Sequence, residues 1–248
     1  VYPPTLGREL RRTATSARYL LVALVIPLGL YLLYPLTGLA ADEVGRQIEG
    51  SSWSGYFLVA MATLGAVAAA TAIGAGRVVA APAGTRTAPP APPTLAEAAG
   101  RVVTAALLAL PPLVVMGITA ASVDGVTLPI AHWLELGGEL MLGAVPFAAL
   151  GLLLAVVVVP DVLDIVLLAV VVVLAILGGL FQPPSTFPAD VTAVAHVLPS
   201  FRLADLGWAA IAGGRPSLPD AAVLLSYTVA IGALFAWRWR AGSGRSDA

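Results

Sequence analysis

The stretch that decides the fold runs from Ile165 to Arg202: IVLLAVVVVLAILGGLF over Ile165–Phe181, QPPSTFP over Gln182–Pro188, and ADVTAVAHVLPSFR over Ala189–Arg202. The first of these carries no charge and is about as short as a helix can be and still cross roughly 30 Å of hydrocarbon, so Ile165–Phe181 is predicted to span a membrane. Helical hairpins need roughly 2–8 connecting residues, yet the next apolar run begins only at Ala221, and much of what lies between is itself apolar. Residues 182–220 are therefore expected to be an ordered segment that rests on or dips into the bilayer surface.

The rest of the chain repeats the first signal. Of its 248 residues 59% are hydrophobic and 11% charged, where soluble domains carry roughly 25% charged residues. Five further apolar runs read as spans: Tyr19–Ala41, Tyr56–Gly76, Val102–Ala121, His132–Val159 and Ala221–Trp237. The expected fold is all-α, one polytopic domain over residues 1–248 with six transmembrane helices. Pro27, Pro111, Pro112 and Pro146 fall inside these runs, where a missing N–H and a clash with the preceding turn bend a helix. The first run is long and follows an arginine-rich segment, so it reads as a span rather than a cleaved leader.

Between the spans, three segments carry information. Residues 5–18 place Leu6, Leu10, Ala14 and Ala17 on one helical face and Arg8, Arg11, Arg12 and Arg18 on another, as expected for a helix lying in the membrane interface. Trp53, Tyr56 and Phe57 open the second span as an expected aromatic belt, and the small residues after Ala66 suit close helix packing. Residues 77–101 hold Pro82, Pro89, Pro90, Pro92 and Pro93 and are expected to be an extended loop.

All 13 basic residues are arginine. With six spans both termini share a side, and the segments on that side hold Arg8, Arg11, Arg12, Arg18, Arg77, Arg86, Arg101, Arg238, Arg240 and Arg245, leaving Arg46, Arg202 and Arg215 opposite. The bias puts both termini and the 77–101 loop in the cytoplasm. Composition points to a bacterial plasma membrane and away from nucleic acid.

The chemistry available is limited. Without cysteine there is no disulfide, thiolate nucleophile or cysteine metal site; without lysine there is no G-x-x-x-x-G-K phosphate-binding loop. His132, Glu135 and Glu139 follow one another at helical spacing and can face one direction. They read either as a zinc or proton site or as polar residues at a helix start anchored by Trp133. Glu139 sits deepest, and an intramembrane carboxylate is a functional candidate by default.

Several segments, taken in order, resemble the permease subunits of ABC-2 type exporters, which include bacterial multidrug and antibiotic exporters. They are Tyr56–Thr63, Gly100–Ala105, Leu142–Leu153, Gly178–Pro183, Phe187-Pro188, Ala195–Phe201, Leu206-Gly207 and Ala236–Arg238. The resemblance implies a permease that exports a hydrophobic or amphipathic small molecule by alternating access. It implies no enzyme activity and no cofactor in this chain, with ATP and magnesium held by a separate ATPase subunit, and a second permease, a homodimer, in the lipid. It also implies two re-entrant helices at Asp190–Leu198 and Phe201–Ala212; the residues themselves offer Ser200 as a cap of the second and Trp208 as its interface anchor, the alternative being an ordered outer loop without a gating role. Phe187, Pro188, His196, Pro199, Phe201 and Trp208 are then gate candidates, and Arg77, Arg86 and Arg101 the contacts to the ATPase. Two other classes stay open: a permease-like protein without transport that serves assembly or sensing, and an intramembrane hydrolase built on His132, Glu135 or Glu139.

Overall fold

The computed structural model describes residues 6–34, 52–77, 93–215 and 217–243. Among these the regular elements are all helices, with no strand. Five helices are long and apolar enough to cross a membrane, and a sixth span is completed if the bent pair at the N-terminus counts as one.

That bent pair begins with α1 (Leu6–Ala14), which ends where Ser16 turns the chain, its Oγ accepting from the Tyr19 N–H. The axis then swings by 57° into α2 (Ala17–Tyr19), a π-helical stretch (Leu20–Val25) and α3 (Ile26–Leu33). The π turn lies directly ahead of Pro27, whose ring would strike the carbonyl of Ala23 in a regular α-helix; widening the turn avoids it. The other internal prolines act in the same way. The third span is α5 (Leu95–Leu107) and α6 (Leu110–Val123), broken at Leu108-Ala109 just before Pro111 and Pro112. The fourth is α7 (Ile130–Gly143) and α8 (Val145–Val157), broken at Ala144 just before Pro146. A π stretch lies ahead of Pro27, and a break in the helix lies ahead of Pro111-Pro112 and of Pro146.

The second span, α4 (Trp53–Gly74), is the hub. Its apolar window is 89% buried, against 28% for the fifth span, α9 (Pro160–Leu177), and 17% within the sixth helix, α12 (Leu218–Ser243). Small residues explain this. A Cβ on Gly74 would run into the backbone of Ala148, and one on Gly151 into the backbone of Thr71 and Ala75, so α4 and α8 touch main chain to main chain. Gly65 holds a similar place against the Ala23 carbonyl and the ring of Pro112, joining the first three spans.

Several predicted boundaries move. The third span starts at Leu95 rather than Val102, because Thr94 and Glu97 form a reciprocal capping box that the loop reading of 77–101 overlooked. The fifth starts at Pro160 and ends at Leu177, not Phe181. Gly179 (φ +77°) takes the left-handed conformation while the N–H groups of Gly179 and Leu180 return to Ile176 and Ala175, which closes the helix. Gly76 (φ +68°) ends α4 the same way.

After α9 the chain makes a short 3-10 turn (Pro184–Thr186), α10 (Ala189–Ala195) and α11 (Pro199–Ile211). α11 lies among α4, α7, α9 and α12, with most of its residues buried. Residues 35–51 and 78–92, which hold the loop between the first two spans and Arg86, lie outside the described residues, as does residue 5 of the 5–18 segment.

The backbone contacts at the α4–α8 crossing give a test. Gly74→Ala and Gly151→Ala should each cost about 1–3 kcal/mol, read as a lower melting temperature in detergent. Gly29→Ala and Gly232→Ala, where an added Cβ meets nothing within 4 Å, should leave it unchanged or raise it.

Candidate functional site

The described chemistry gathers in three places: a charged clasp at the arginine-rich end, an aromatic stack around α11, and a polar stripe on α7.

At the arginine-rich end Arg18 from α2 reaches across to the first turns of α9, where its guanidinium meets Asp164 at 3.2 Å and donates to the Arg77 carbonyl at 2.8 Å. Arg77, just past the end of α4, pairs with the same Asp164 at 3.4 Å and donates to the Pro160 carbonyl. Arg101 donates to the carbonyl of Gly74, the last residue of α4, at 3.1 Å. Trp239 near the end of α12 donates its indole N–H to the Pro93 carbonyl at 3.0 Å. Two of the three arginines predicted for a partner contact, Arg77 and Arg101, therefore have their heads turned back onto the bundle. Arg18 and Asp164 were missed as members of the group because 146 residues separate them. The Arg18–Asp164 pair, half-exposed on both sides, is worth about 0–1 kcal/mol, whereas Arg77 in the second pair is largely covered.

Around α11 the expected aromatic belt proves to be internal packing. Tyr56 is fully buried and stacks on Trp208 at 4.7 Å with the planes 11° apart, while Tyr34 stacks on Phe57 at 3.9 Å. Trp208 is buried rather than an interfacial anchor, because its N–H is spent on the Tyr56 carbonyl at 3.2 Å. The Tyr56 hydroxyl donates in turn to the Gly179 carbonyl at the end of α9. Ser200 does not cap α11; its hydroxyl donates to the Leu174 carbonyl at 2.7 Å. Of the other gate candidates, Pro199 and Phe201 are buried with this stack, Phe187 is half-buried, and Pro188 and His196 are exposed, the His196 ring resting 4.7 Å from that of Phe201. Arg202 pairs with the buried Asp220 of α12 at 2.5 Å, a contact the sequence did not suggest.

On α7, His132, Leu136, Glu139 and Gly143 recur at the spacing of one helical face. The residues flanking Glu139 show where that face points: Leu136 lies against Gly207, Gly143 against Leu203, and His132 against Gly213. Both Glu139 oxygens are covered, and neither has a hydrogen-bond partner among the described residues. Glu135 is half-buried one turn nearer the helix start. Among the described residues no three His, Asp or Glu side chains come together as a metal site. Trp133 packs its ring over Gly117 of α6.

The chain is 24% identical over 115 residues to the "Putative transport permease YvfS" of Bacillus subtilis (strain 168), a match covering 46% of this chain and 47% of that protein. The chain thus aligns with about half the length of the curated relative. No family model matches it, and no solved structure matches it at a significant level. The likeness, together with the apolar helices, supports a permease-like, multi-pass membrane protein.

The break before Pro112 supplies a prediction. Proline at 112 leaves the Leu108 carbonyl without its helical donor, and the Tyr19 hydroxyl takes it at 2.9 Å. Tyr19→Phe should therefore lower stability by about 1–3 kcal/mol in the wild-type chain. It should cost much less in a Pro112→Ala background, where the restored amide reaches the same carbonyl; thermal unfolding of the four chains measures the difference.

Proposed function

We propose that this chain is the permease subunit of an ATP-driven exporter of the ABC-2 type, moving a hydrophobic or amphipathic small molecule outward by alternating access. One observation carries the reading: a bundle of membrane-length apolar helices belongs to a chain that resembles a named transport permease. With no lysine anywhere in the sequence, ATP and magnesium are assigned to a separate ATPase subunit. The arginine bias assigns both termini to the cytoplasm of a bacterial plasma membrane. A second copy is assigned to the exposed apolar faces of α9 and α12, with lipid over the remainder.

In this reading residues 78–92, with Arg86, meet the ATPase, and the clasp passes the force on. Arg77 secures the start of that segment to α9, and Trp239 holds its end at Pro93 to α12. Arg101 ties α5 to the end of α4. Since Arg18 grips the same Asp164 as Arg77, displacement of the segment would move α1, α2, α9 and α12 together. On the other side the α10–α11 insertion serves as the gate, with Phe187, Pro188 and His196 nearer its surface and Pro199, Phe201 and Trp208 at its base.

The test is purification of the tagged chain from its own host's membranes. An ATPase subunit should come down with it, with hydrolysis stimulated by hydrophobic candidate substrates; a chain that never recruits one points instead to the permease-like protein without transport. Asp164→Ala should preserve the complex yet reduce the stimulated part of hydrolysis severalfold, because the Arg18 pair it removes is exposed and weak and Arg77 keeps its bond to the Pro160 carbonyl.

A further inference from the structure

Among the carboxylates placed in the described bundle, several are answered by groups of this chain: Asp164 by Arg18 and Arg77, Asp220 by Arg202, Asp124 by the Tyr31 hydroxyl, and Glu97 by the Thr94 amide. Glu139 differs. Its two oxygens are covered and without a hydrogen-bond partner among the described residues, roughly 14 Å along the helix axis from Ile130, inside the membrane-length Ile130–Val157 helix. An ionised carboxylate in such surroundings is unstable until a positive charge reaches it.

The surroundings indicate what kind of charge. Glu139 lies on the face of α7 that meets α11, between the Leu136–Gly207 and Gly143–Leu203 contacts. The neighbouring walls are aliphatic: Leu136, Leu140 and Leu203 are buried there. A divalent metal would need several further oxygen or nitrogen ligands, and the described residues bring no such set together. The basic residue of α11, Arg202, is engaged with Asp220 of α12. Glu139, with the half-buried Glu135 one turn away, puts negative charge within apolar walls, which suits a cation that carries its own apolar body. His132, with its Nδ1 covered and without a hydrogen-bond partner among the described residues, lies on the same face two turns nearer the helix start, so polar groups lead down to Glu139.

We propose that Glu139 is the recognition site for the positive centre of an amphiphilic organic cation, of the quaternary ammonium or phosphonium kind, received in the seam between α7 and α11. The inference rests on the transport reading and narrows its substrate class. It can be tested without an ATPase, so loss of coupling and loss of this site are told apart. The full chain in nanodiscs of zwitterionic lipid is titrated with radiolabelled tetraphenylphosphonium. Saturable binding is expected in the wild type, weakened at least about tenfold by Glu139→Gln, with Glu139→Asp intermediate and an uncharged analogue of the same shape a poor competitor. Glu139→Gln is close in shape to the original and should melt no lower than the wild type, which separates lost recognition from misfolding. Unchanged binding by Glu139→Gln, equal competition by the uncharged analogue, or no saturable binding to the wild-type chain would each overturn the proposal; the last two outcomes would leave Glu139 as a buried acid that holds only a proton.

Discussion

A backbone carbonyl that loses its helical donor inside hydrocarbon has no water to turn to, and this constraint shapes the whole bundle. Among the described residues Pro27, Pro111, Pro112 and Pro146 lie within membrane-length helices and several helices end in glycine turns, so such carbonyls arise repeatedly. The chain answers them with side chains from other helices. Tyr19 donates to Leu108, Tyr56 to Gly179 and Arg101 to Gly74. Every one of these bonds joins two elements, so the defects in individual helices become the joints between them. The Ala23 carbonyl ahead of Pro27 follows another route: the π turn redirects the ladder, and the bare backbone of Gly65 lets the helix lie close.

The second organising fact is that α4 is surrounded. A lipid-facing helix has no reason to avoid side-chain bulk, but α4 meets α8 at Gly74 and Gly151 with backbones in contact, and dispersion between closely packed main chains replaces the hydrophobic force that a bilayer does not supply. At its other end α4 supplies Tyr56 and Phe57 to a continuous stack that reaches Tyr34, Trp53, Trp208 and Phe201. Aromatic pairs of this geometry contribute about 0.5–1.5 kcal/mol each beyond burial. The α10–α11 insertion is thereby fixed to α4 through Trp208, to α9 through Ser200 and to α12 through Arg202. Movement of α11 would require these contacts to change together.

How far the chain could be read in advance depended on the range of the interaction involved. The spans are legible because an uncharged run of sufficient length has few stable places other than a bilayer, and the kinks because proline acts on its own turn. The start of the third span was legible too, in Thr94 and Glu97, but the prolines just before them drew the reading toward a loop. Tyr56 and Trp208 resemble belt residues as long as each is considered alone; the indole N–H and the phenol hydroxyl can be satisfied by water at an interface or by a carbonyl in a core, and nothing local chooses between them. Arg77 and Arg101 looked like free cations for the same reason.

The sequence by itself determined that this chain carries membrane-length apolar helical segments, that prolines fall inside several of them, and that the given sequence has neither the lysine of a G-x-x-x-x-G-K loop nor any cysteine. These follow from hydrophobicity, proline geometry and the absence of particular residue types, all of them properties of short stretches. Only the tertiary structure decided which helix is central, that Arg18 and Arg77 share Asp164, and that Glu139 faces α11 without a counter-charge among the described residues. Those are relations between residues far apart in the chain, and they are set by how small side chains let the helices approach and by which stranded carbonyl each donor can reach.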